Sequence, residues 1–284
     1  MYSIVDIRTI APKISRLEIE APLIAKKRKP GNFVIVMPRD KGERIPLTIV
    51  ESDVENGTIT LIVQAIGKTT HIIHNMKIGE AFTDVVGPLG EPTPIGNFGT
   101  VVCVGGGVGT AVVFPMAKAL KEAGNRVIGI IGARNKEMII LEEEMDNISD
   151  ELLVTTDDGS YGEKGFVTDA LRRVIEENKN IHSVYTTGPL PMMKAVADLT
   201  RETGLHTLAS LNPIMMDGTG MCGACRVSVG DELKFTCVDG PEFDAHKVNF
   251  DELIKRNNTY ADQERKAMED YRKQCKAERS YVFK

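Results

Sequence analysis

An aspartate and three cysteines stand in a spacing that can hold a metal: Asp217, Cys222, Cys225 and Cys237, in the run MMDGTGMCGACRVSVGDELKFTC. The plant-type [2Fe-2S] pattern is CxxxxCxxC followed by a distant cysteine. Here the order is DxxxxCxxC, then eleven residues and a cysteine, so Asp217 stands where the first thiolate would be. A carboxylate oxygen is an anionic donor for ferric iron, as a thiolate is, and the formal charge of the ligand set is unchanged. Oxygen is harder and less covalent than sulfur, and cluster potential also depends on hydrogen bonds and exposure, so the direction of any shift stays open. The chemistry such a site performs is the movement of single electrons. Three plainer readings compete. Zinc takes Cys and Asp in a tetrahedron, although its ligands commonly come as two short-spaced pairs rather than this staggered set. A thioredoxin-like CxxC would open a helix after a strand, whereas Met221, Gly223 and Ala224 sit in a glycine-rich loop. A coincidental disulfide is the third.

A second constellation lies upstream. Gly105, Gly106, Gly107 and Gly109, with Val108 among them, join an apolar strand pattern to a helical one. At such a turn a dinucleotide pyrophosphate can approach bare backbone and meet helix-terminal N–H groups. The match to GxGxxG is not strict: position 110 is Thr, and Pro115 removes a donor early in the helix and is expected to bend its first turns. The plainer reading is a tight turn whose small residues serve packing. A nicotinamide dinucleotide also needs contacts from the ends of later strands, and GARNKE at 132–137, TTDDGSYG at 155–162 and TTGPLPMM at 186–193 are polar segments of that kind. Arg134 suits a 2′-phosphate or the pyrophosphate. Asp157, Asp158 and the run Glu142 to Glu144 oppose a 2′-phosphate if they are near, so the expectation leans to NAD(H) and leaves NADP(H) open. For each of these charges a solvated loop is the alternative.

The elements that must position these groups fall into four stretches. Residues 1–97 carry short alternating runs such as SRLEIEA, NFVIVMP and TITLIVQAI, punctuated by Gly, Pro and Asp, which predict an antiparallel β-barrel. Residues 98–208 alternate strand and helix patterns and predict an α/β Rossmann-like domain with a parallel sheet. Residues 209–248 hold the cysteine segment. Residues 249–284 read as one long charged amphipathic helix, in which Tyr260, Met268, Tyr271 and Cys275 recur at near-helical spacing.

Composition narrows the class. The chain has 284 residues, enough for two domains and a small addition. Its net charge of −5 gives no electrostatic case for nucleic-acid binding. No apolar run approaches the roughly 18 residues of a membrane span, and MYSIVDIRTIAPK lacks the layout of a signal peptide. Five cysteines, three of them in one ligand-like set, fit a reducing compartment better than a secreted disulfide framework. The expectation is a cytoplasmic protein without membrane or nucleic-acid partners.

The barrel region contains RIPLTIV, with Arg44, Pro46, Leu47 and Thr48, and VQAIGKTT, with Val63, Gln64, Gly67, Lys68, Thr69 and Thr70 opening a short helix. Together with GPLG at 87–90, the glycine turn and TGP at 187–189, which includes Gly188, their order resembles the ferredoxin-NADP reductase superfamily over roughly residues 1–205. That resemblance implies FAD in the barrel, with Arg44 on the pyrophosphate, Thr48 near the isoalloxazine, and Thr69 and Thr70 completing the phosphate site. A cation and a helix N-terminus suit a diphosphate on physical grounds as well. With the cysteine segment added, the chain resembles the subfamily that holds dihydroorotate dehydrogenase electron-transfer subunits and the small subunits of NADH-dependent reduced ferredoxin:NADP oxidoreductases. Asp217 beside three cysteines, and the charged tail, favour the second. The resemblance implies a relay between a [2Fe-2S] cluster, FAD and NAD(H), within a heterodimer whose larger subunit holds another flavin and [4Fe-4S] clusters and deals with ferredoxin. The chemistry then belongs to the cofactors, and no acid–base triad is expected. His71 and His74 read as packing or surface residues. A zinc-stabilised nucleotide-binding regulator is the alternative from another class.

Overall fold

Alternation of buried and exposed residues along the amino-terminal strands closes them around one core. The computed structural model describes residues 2–282. In it β1 (Tyr2–Ala11), β2 (Ile14–Glu20), α1 (Pro22–Lys27), β3 (Phe33–Met37), β4 (Ile45–Thr48), β5 (Glu51–Asp53), β6 (Thr58–Gln64), α2 (Lys68–His74), β7 (Ala81–Phe82) and β8 (Asp84–Leu89) follow one another. The strands form two antiparallel sheets, β5-β6-β2-β1-β7 and β4-β3-β8. Leu17, Ile19, Val34, Val36, Ile59, Leu61 and Val63 fill the space between them. Pro46 is accommodated because β4 is an edge strand, where a missing N–H leaves no ladder bond broken on the open side.

Beyond the barrel come β9 (Thr100–Gly106), α3 (Thr110–Glu122), β10 (Arg126–Ala133), α4 (Glu142–Ile148), β11 (Glu151–Thr156), β12 (Glu163–Lys164), α5 (Val167–Glu177), β13 (Ile181–Thr187), α6 (Leu190–Thr203) and β14 (His206–Ser210). They build a sheet ordered β12-β11-β10-β9-β13-β14, parallel throughout, with helices on both faces. The chain runs outward from β9 to β12 and then returns to the other side of β9. The switch point therefore lies between β9 and β13, where α/β sheets of this kind bind ligands at the carboxyl ends. α3 passes through Pro115 without ending. The two domains share apolar packing: Ala11, Ile14, Val50 and Ile62 of the barrel lie in one cluster with Val113, Phe114 and Ala117 of α3. β6 is thus buried on both faces, with Ile59, Leu61 and Val63 toward the barrel core and Ile62 toward α3.

The cysteine segment adds the hairpin β15 (Arg226–Val229) and β16 (Glu232–Phe235), the short α7 (Thr236–Asp239), and β17 (Glu242–Asp244), which pairs antiparallel with β14. The carboxyl-terminal stretch differs from the single helix expected. It forms α8 (Phe250–Asn257) and α9 (Ala261–Val282), interrupted at 258–260. Asn257, Asn258 and Thr259 favour bonds to their own backbone over continuing a helix, and Thr259 N–H turns back to the Arg256 carbonyl at 3.1 Å. α8 is capped by Asn249, whose side chain accepts from Glu252 N–H at 3.0 Å, and buries Phe250 and Leu253 beside α6. α9 lies against α2, where Asn75 and the Tyr271 hydroxyl are 3.5 Å apart. No helix among the described residues is long and apolar enough to cross a membrane.

Candidate functional site

The four proposed cluster ligands come as two pairs. Cys225 and Cys237 are both buried, with their sulfurs 3.3 Å apart. Cys237 is delivered by α7 and Cys225 by the turn into β15, and Thr236 N–H bonds to the Cys225 carbonyl at 3.1 Å, fixing the two backbones together. Burial, with Cys225 alongside, pushes the Cys237 thiol up to about 12. Two thiolates at that spacing need a bound cation to exist together. The other pair is Asp217 and the exposed Cys222. The Asp217 carboxylate accepts N–H bonds from Thr219 and Cys222, each at 2.8 Å. Those bonds, led by Thr219, hold it below the usual carboxylate range, and the Cys222 thiol contributes as well. Gly218, Gly220 and Gly223 all have positive φ, near 80°, 80° and 64°, and wrap this loop into a curl that side-chain-bearing residues resist.

Among the described residues, no three His, Cys, Asp or Glu side chains converge on one metal position. Two pairs suit a two-iron cluster, in which each iron takes two protein ligands. CxxC lies in a glycine turn ahead of β15 rather than opening a helix, so the thioredoxin-like reading falls away.

Behind the buried pair stands the barrel. Cys225 and Cys237 pack with Phe33 and Ile35 of β3. Those two residues are the cross-strand partners of Thr48 and Pro46 on β4. Arg44 leads into β4 and pairs through Nη1 with Asp84 Oδ2 at 2.8 Å, while its Nε is buried with no hydrogen-bond partner among the described residues. That orphaned donor fits an anion that completes the guanidinium's contacts. At the end of β6, Val63 and Gln64 lead to Gly67, where an added Cβ would meet nothing within 4 Å. The hydroxyls expected to bind phosphate are otherwise engaged. Thr70 accepts from Ile66 N–H at 2.9 Å and Gly67 N–H at 3.0 Å, and Thr69 donates to Glu43 at 2.5 Å. What α2 offers is its first-turn N–H groups and the exposed Lys68. His74 bonds Ser15 at 2.6 Å and His71 the Gly67 carbonyl at 2.9 Å, so both serve packing.

In the glycine turn, packing accounts for three of the four glycines. A Cβ on Gly105 would lie 2.8 Å from Thr110 Cα, one on Gly106 would collide with Met192, and one on Gly109 would lie 2.5 Å from the Thr187 carbonyl. Gly107 alone faces open space, with φ of +56°. Bare backbone is therefore presented beside Val108 and Gly188 at the switch point, and the Gly107–Gly109 turn packs against β6. At the ends of β10 and β11, Asp158 N–H bonds the Arg134 carbonyl at 3.2 Å, which places these two exposed residues side by side. Hydrogen bonds from Ser160 hold the Asp158 carboxyl below its ordinary range.

Reading the residues alone missed Asp84 and Glu43, the carboxylates that engage Arg44 and Thr69. It also missed the exposed Met216, Met221 and Val238 near the cluster ligands, which are 57%, 89% and 38% exposed. The methionines flank the motif itself, and that proximity was the available signal.

Comparisons with known proteins follow the same division. Residues 212–249 match the iron-sulfur cluster binding domain of dihydroorotate dehydrogenase B, and residues 103–198 match the oxidoreductase NAD-binding domain. A Thermotoga maritima protein named as a homolog of the dihydroorotate dehydrogenase B (NAD(+)) electron transfer subunit is 48% identical over 93% of each chain. The electron transfer subunit of that enzyme from Fusobacterium nucleatum is 32% identical over 85% of this chain and 95% of its own. A solved structure of NADH-dependent reduced ferredoxin-NADP oxidoreductase, described in connection with flavin-based electron bifurcation, superimposes with a TM-score of 0.91. It is 45% identical and covers 95% of this chain and 98% of its own. Phthalate dioxygenase reductase, at 18% identity and a TM-score of 0.60 over 80% of this chain and 85% of its own, shares the fold. Barrel, parallel sheet and cysteine segment are thus matched together, and the chain belongs to the family of dihydroorotate dehydrogenase B electron transfer subunits, within the ferredoxin-NADP reductase superfamily, as a flavin- and iron-sulfur-dependent NAD(P) oxidoreductase subunit.

Proposed function

We propose that this chain passes electrons between a [2Fe-2S] cluster, FAD and NAD(H) as the smaller subunit of an electron-bifurcating ferredoxin:NADP oxidoreductase. Its partner would be a larger subunit with its own flavin and [4Fe-4S] clusters, through which ferredoxin is reached. The assignment gives residues 1–97 to FAD, 98–208 to the nucleotide, 209–248 to the cluster and 249–284 to a helical extension. One observation carries the reading: the barrel touches both other sites, with β3 backing Cys225 and Cys237 and β6 meeting the Gly107–Gly109 turn.

Bound there, the cluster supplies single-electron transfer and the flavin converts single electrons into a hydride for nicotinamide. The protein's part is to hold these groups close and dry. Arg44, Gly67 and Lys68 would hold the flavin's diphosphate, and β4 from Pro46 to Thr48 would lie along its ring. Gly107, Val108 and Gly188 would take the dinucleotide, with Arg134 and the ionised Asp158 at its adenosine end. Asp158 there favours a free ribose over a 2′-phosphate, which supports NAD(H). Met216, Met221 and Val238, exposed near Cys222, supply an apolar face for the larger subunit.

The second reading, a dihydroorotate dehydrogenase electron transfer subunit, is supported by the names of relatives. Identity does not separate the two, at 48% to the Thermotoga homolog named for that enzyme and 45% to the ferredoxin-NADP oxidoreductase structure; Asp217 in the place of the first cysteine is what favours the first. The partner that copurifies separates them, through an FMN barrel or through a second FAD with [4Fe-4S] clusters. The function itself is tested by purifying the chain anaerobically and recording its visible spectrum with and without NADH. Flavin bands with an iron-sulfur shoulder that bleach on NADH are expected; a colourless, zinc-containing protein would end this reading.

Asp217→Cys is expected to retain a cluster with an altered potential, because a softer and more covalent donor replaces a carboxylate. Electron paramagnetic resonance and potentiometry read it, and an unchanged signal and potential would strike Asp217 from the ligands.

A further inference from the structure

Three parts of the fold meet at one inward-turned carboxyl group. Glu242 begins β17 and is the cross-strand partner of Ser210 on β14. The Thr93 hydroxyl, between barrel and parallel sheet, donates to Glu242 Oε1 at 2.5 Å. Thr93 is itself 4% exposed, and its N–H is bonded to the Pro30 carbonyl at 3.0 Å. Glu242 Oε2 is buried without a hydrogen-bond partner among the described residues, although the residue as a whole is half-buried. The surrounding backbone is tied across the same joint. Glu91 N–H reaches the Gly240 carbonyl at 2.6 Å and Leu211 N–H the Pro241 carbonyl at 2.9 Å. A Cβ on Gly31 would stand 2.9 Å from Thr93 N and 3.1 Å from Glu242 Oε1, so barrel backbone closes the remaining side.

Among the described residues, no cation pairs with this carboxyl. The titratable groups facing it from β9 and β13 are the Cys103 thiol and the Tyr185 phenol. Burial pushes the thiol up to about 12 and raises the phenol, so both stay neutral through the physiological range. The barrel side contributes Thr93 and Gly31, neither of which titrates. Burial, only partly offset by the Thr93 bond, pushes the Glu242 carboxyl up from 4.5 to about 7.

We propose that Glu242 is a positioning residue for electron transfer: as a neutral acid it joins the barrel, the edge of the nucleotide sheet and the cluster segment, and its ionisation loosens that joint. The proposal rests on the oxidoreductase reading above, because the joint lies between the flavin-bearing and nucleotide-bearing domains. Ionisation leaves a buried charge with one donor, and relief comes from opening the contact to water. The sign follows from linkage. Between about pH 4.5, where the unfolded chain ionises, and about pH 7, where the folded one does, the folded state holds the extra proton. Stability therefore falls as pH rises through that window and levels off above it.

The test compares wild-type holoprotein with Glu242→Gln, which keeps the shape and the acceptor for Thr93 but cannot ionise. Two readouts are followed between about pH 5 and about pH 8.5: the thermal unfolding midpoint and the rate at which NADH bleaches the flavin. Relative to the variant, the wild type is expected to lose thermal midpoint as pH approaches 7, and to slow in bleaching above it. The variant lacks both limbs and is the more heat-stable protein in alkali. A variant that keeps the wild-type limbs overturns the proposal. So does a flattened thermal profile with an unchanged rate profile, which would make Glu242 structural only. A wild type that NADH cannot bleach defeats the oxidoreductase reading instead, and the thermal comparison still reads the joint.

Discussion

Cys225→Ser is expected to give a yellow protein that has lost its iron-sulfur signal. Cys225 is 1% exposed, in contact with Phe33 and Ile35, with its sulfur 3.3 Å from that of Cys237. Serine keeps the volume within an atom but offers a hydroxyl that does not ionise near neutral pH, so Cys237 loses the thiolate that shares its iron. Iron, acid-labile sulfide and the paramagnetic signal fall to background. FAD stoichiometry and bleaching by NADH persist, because the flavin and nucleotide residues lie elsewhere. Delivery of electrons to a one-electron acceptor that docks at the cluster face stops. A buried hydroxyl without a partner also destabilises the fold by about 1–3 kcal/mol, so circular dichroism of the variant is needed beside the spectra. Wild-type iron content in this variant would show that the buried pair is not a ligand pair.

Gly109→Ala should cripple nicotinamide binding while leaving both resident cofactors in place. The added Cβ would stand 2.5 Å from the Thr187 carbonyl oxygen and 2.7 Å from both Thr187 C and Gly188 Cα. All three obstacles are backbone, so no side chain can swing aside. The two turns are also latched, with the Thr187 hydroxyl donating to the Gly109 carbonyl. Forcing them apart strains the crevice by about 1–3 kcal/mol, the usual range for overpacking. Every 1.4 kcal/mol taken from binding is about tenfold in affinity, so KM for NADH should rise by on the order of tenfold. Gly204→Ala is the control: it lies at the end of α6 with φ of +70° and nothing within 4 Å, so it strains the backbone without touching the crevice. An unchanged KM in the Gly109 variant, with folding intact, would remove this turn from the nucleotide site.

What could be read from sequence was local and periodic. The alternation in SRLEIEA becomes β2, with Leu17 and Ile19 in the barrel core, because a strand's period of two is written in adjacent residues. The spacing from Asp217 to Cys225 was legible for the same reason. Cys237 is different: that it stands 3.3 Å from Cys225 depends on a hairpin and the turn of α7, neither of which the spacing states. Three of the turn's glycines answer to Thr110, Met192 and Thr187, partners that only tertiary packing supplies, so sequence could not separate nucleotide binding from packing. Thr69 and Thr70 have the right residue types for phosphate, yet their hydroxyls are used by Glu43 and the helix's own cap. Glu242 passed unnoticed as one acid in a polar stretch, since nothing in GPEFD says that a barrel threonine will cover it. The tail ran together two helices because its charge pattern continues through Asn258, while Asn-Asn-Thr chemistry ends the first.

The pairing of Ser210 with Glu242 has a topological meaning. The chain leaves the parallel sheet at one residue and rejoins it beside that same residue, so everything between them is an insertion cassette whose two ends are already neighbours. Little loop-closure entropy separates a version with the cassette from one with a short turn, since that entropy changes only slowly with loop length. The reductase core can therefore gain, lose or exchange its one-electron port without altering the connectivity that holds flavin against nucleotide. Yet the cassette is not free-hanging, because Cys225 and Cys237 rest on β3. Its replaceability is topological, and its placement is set by the barrel.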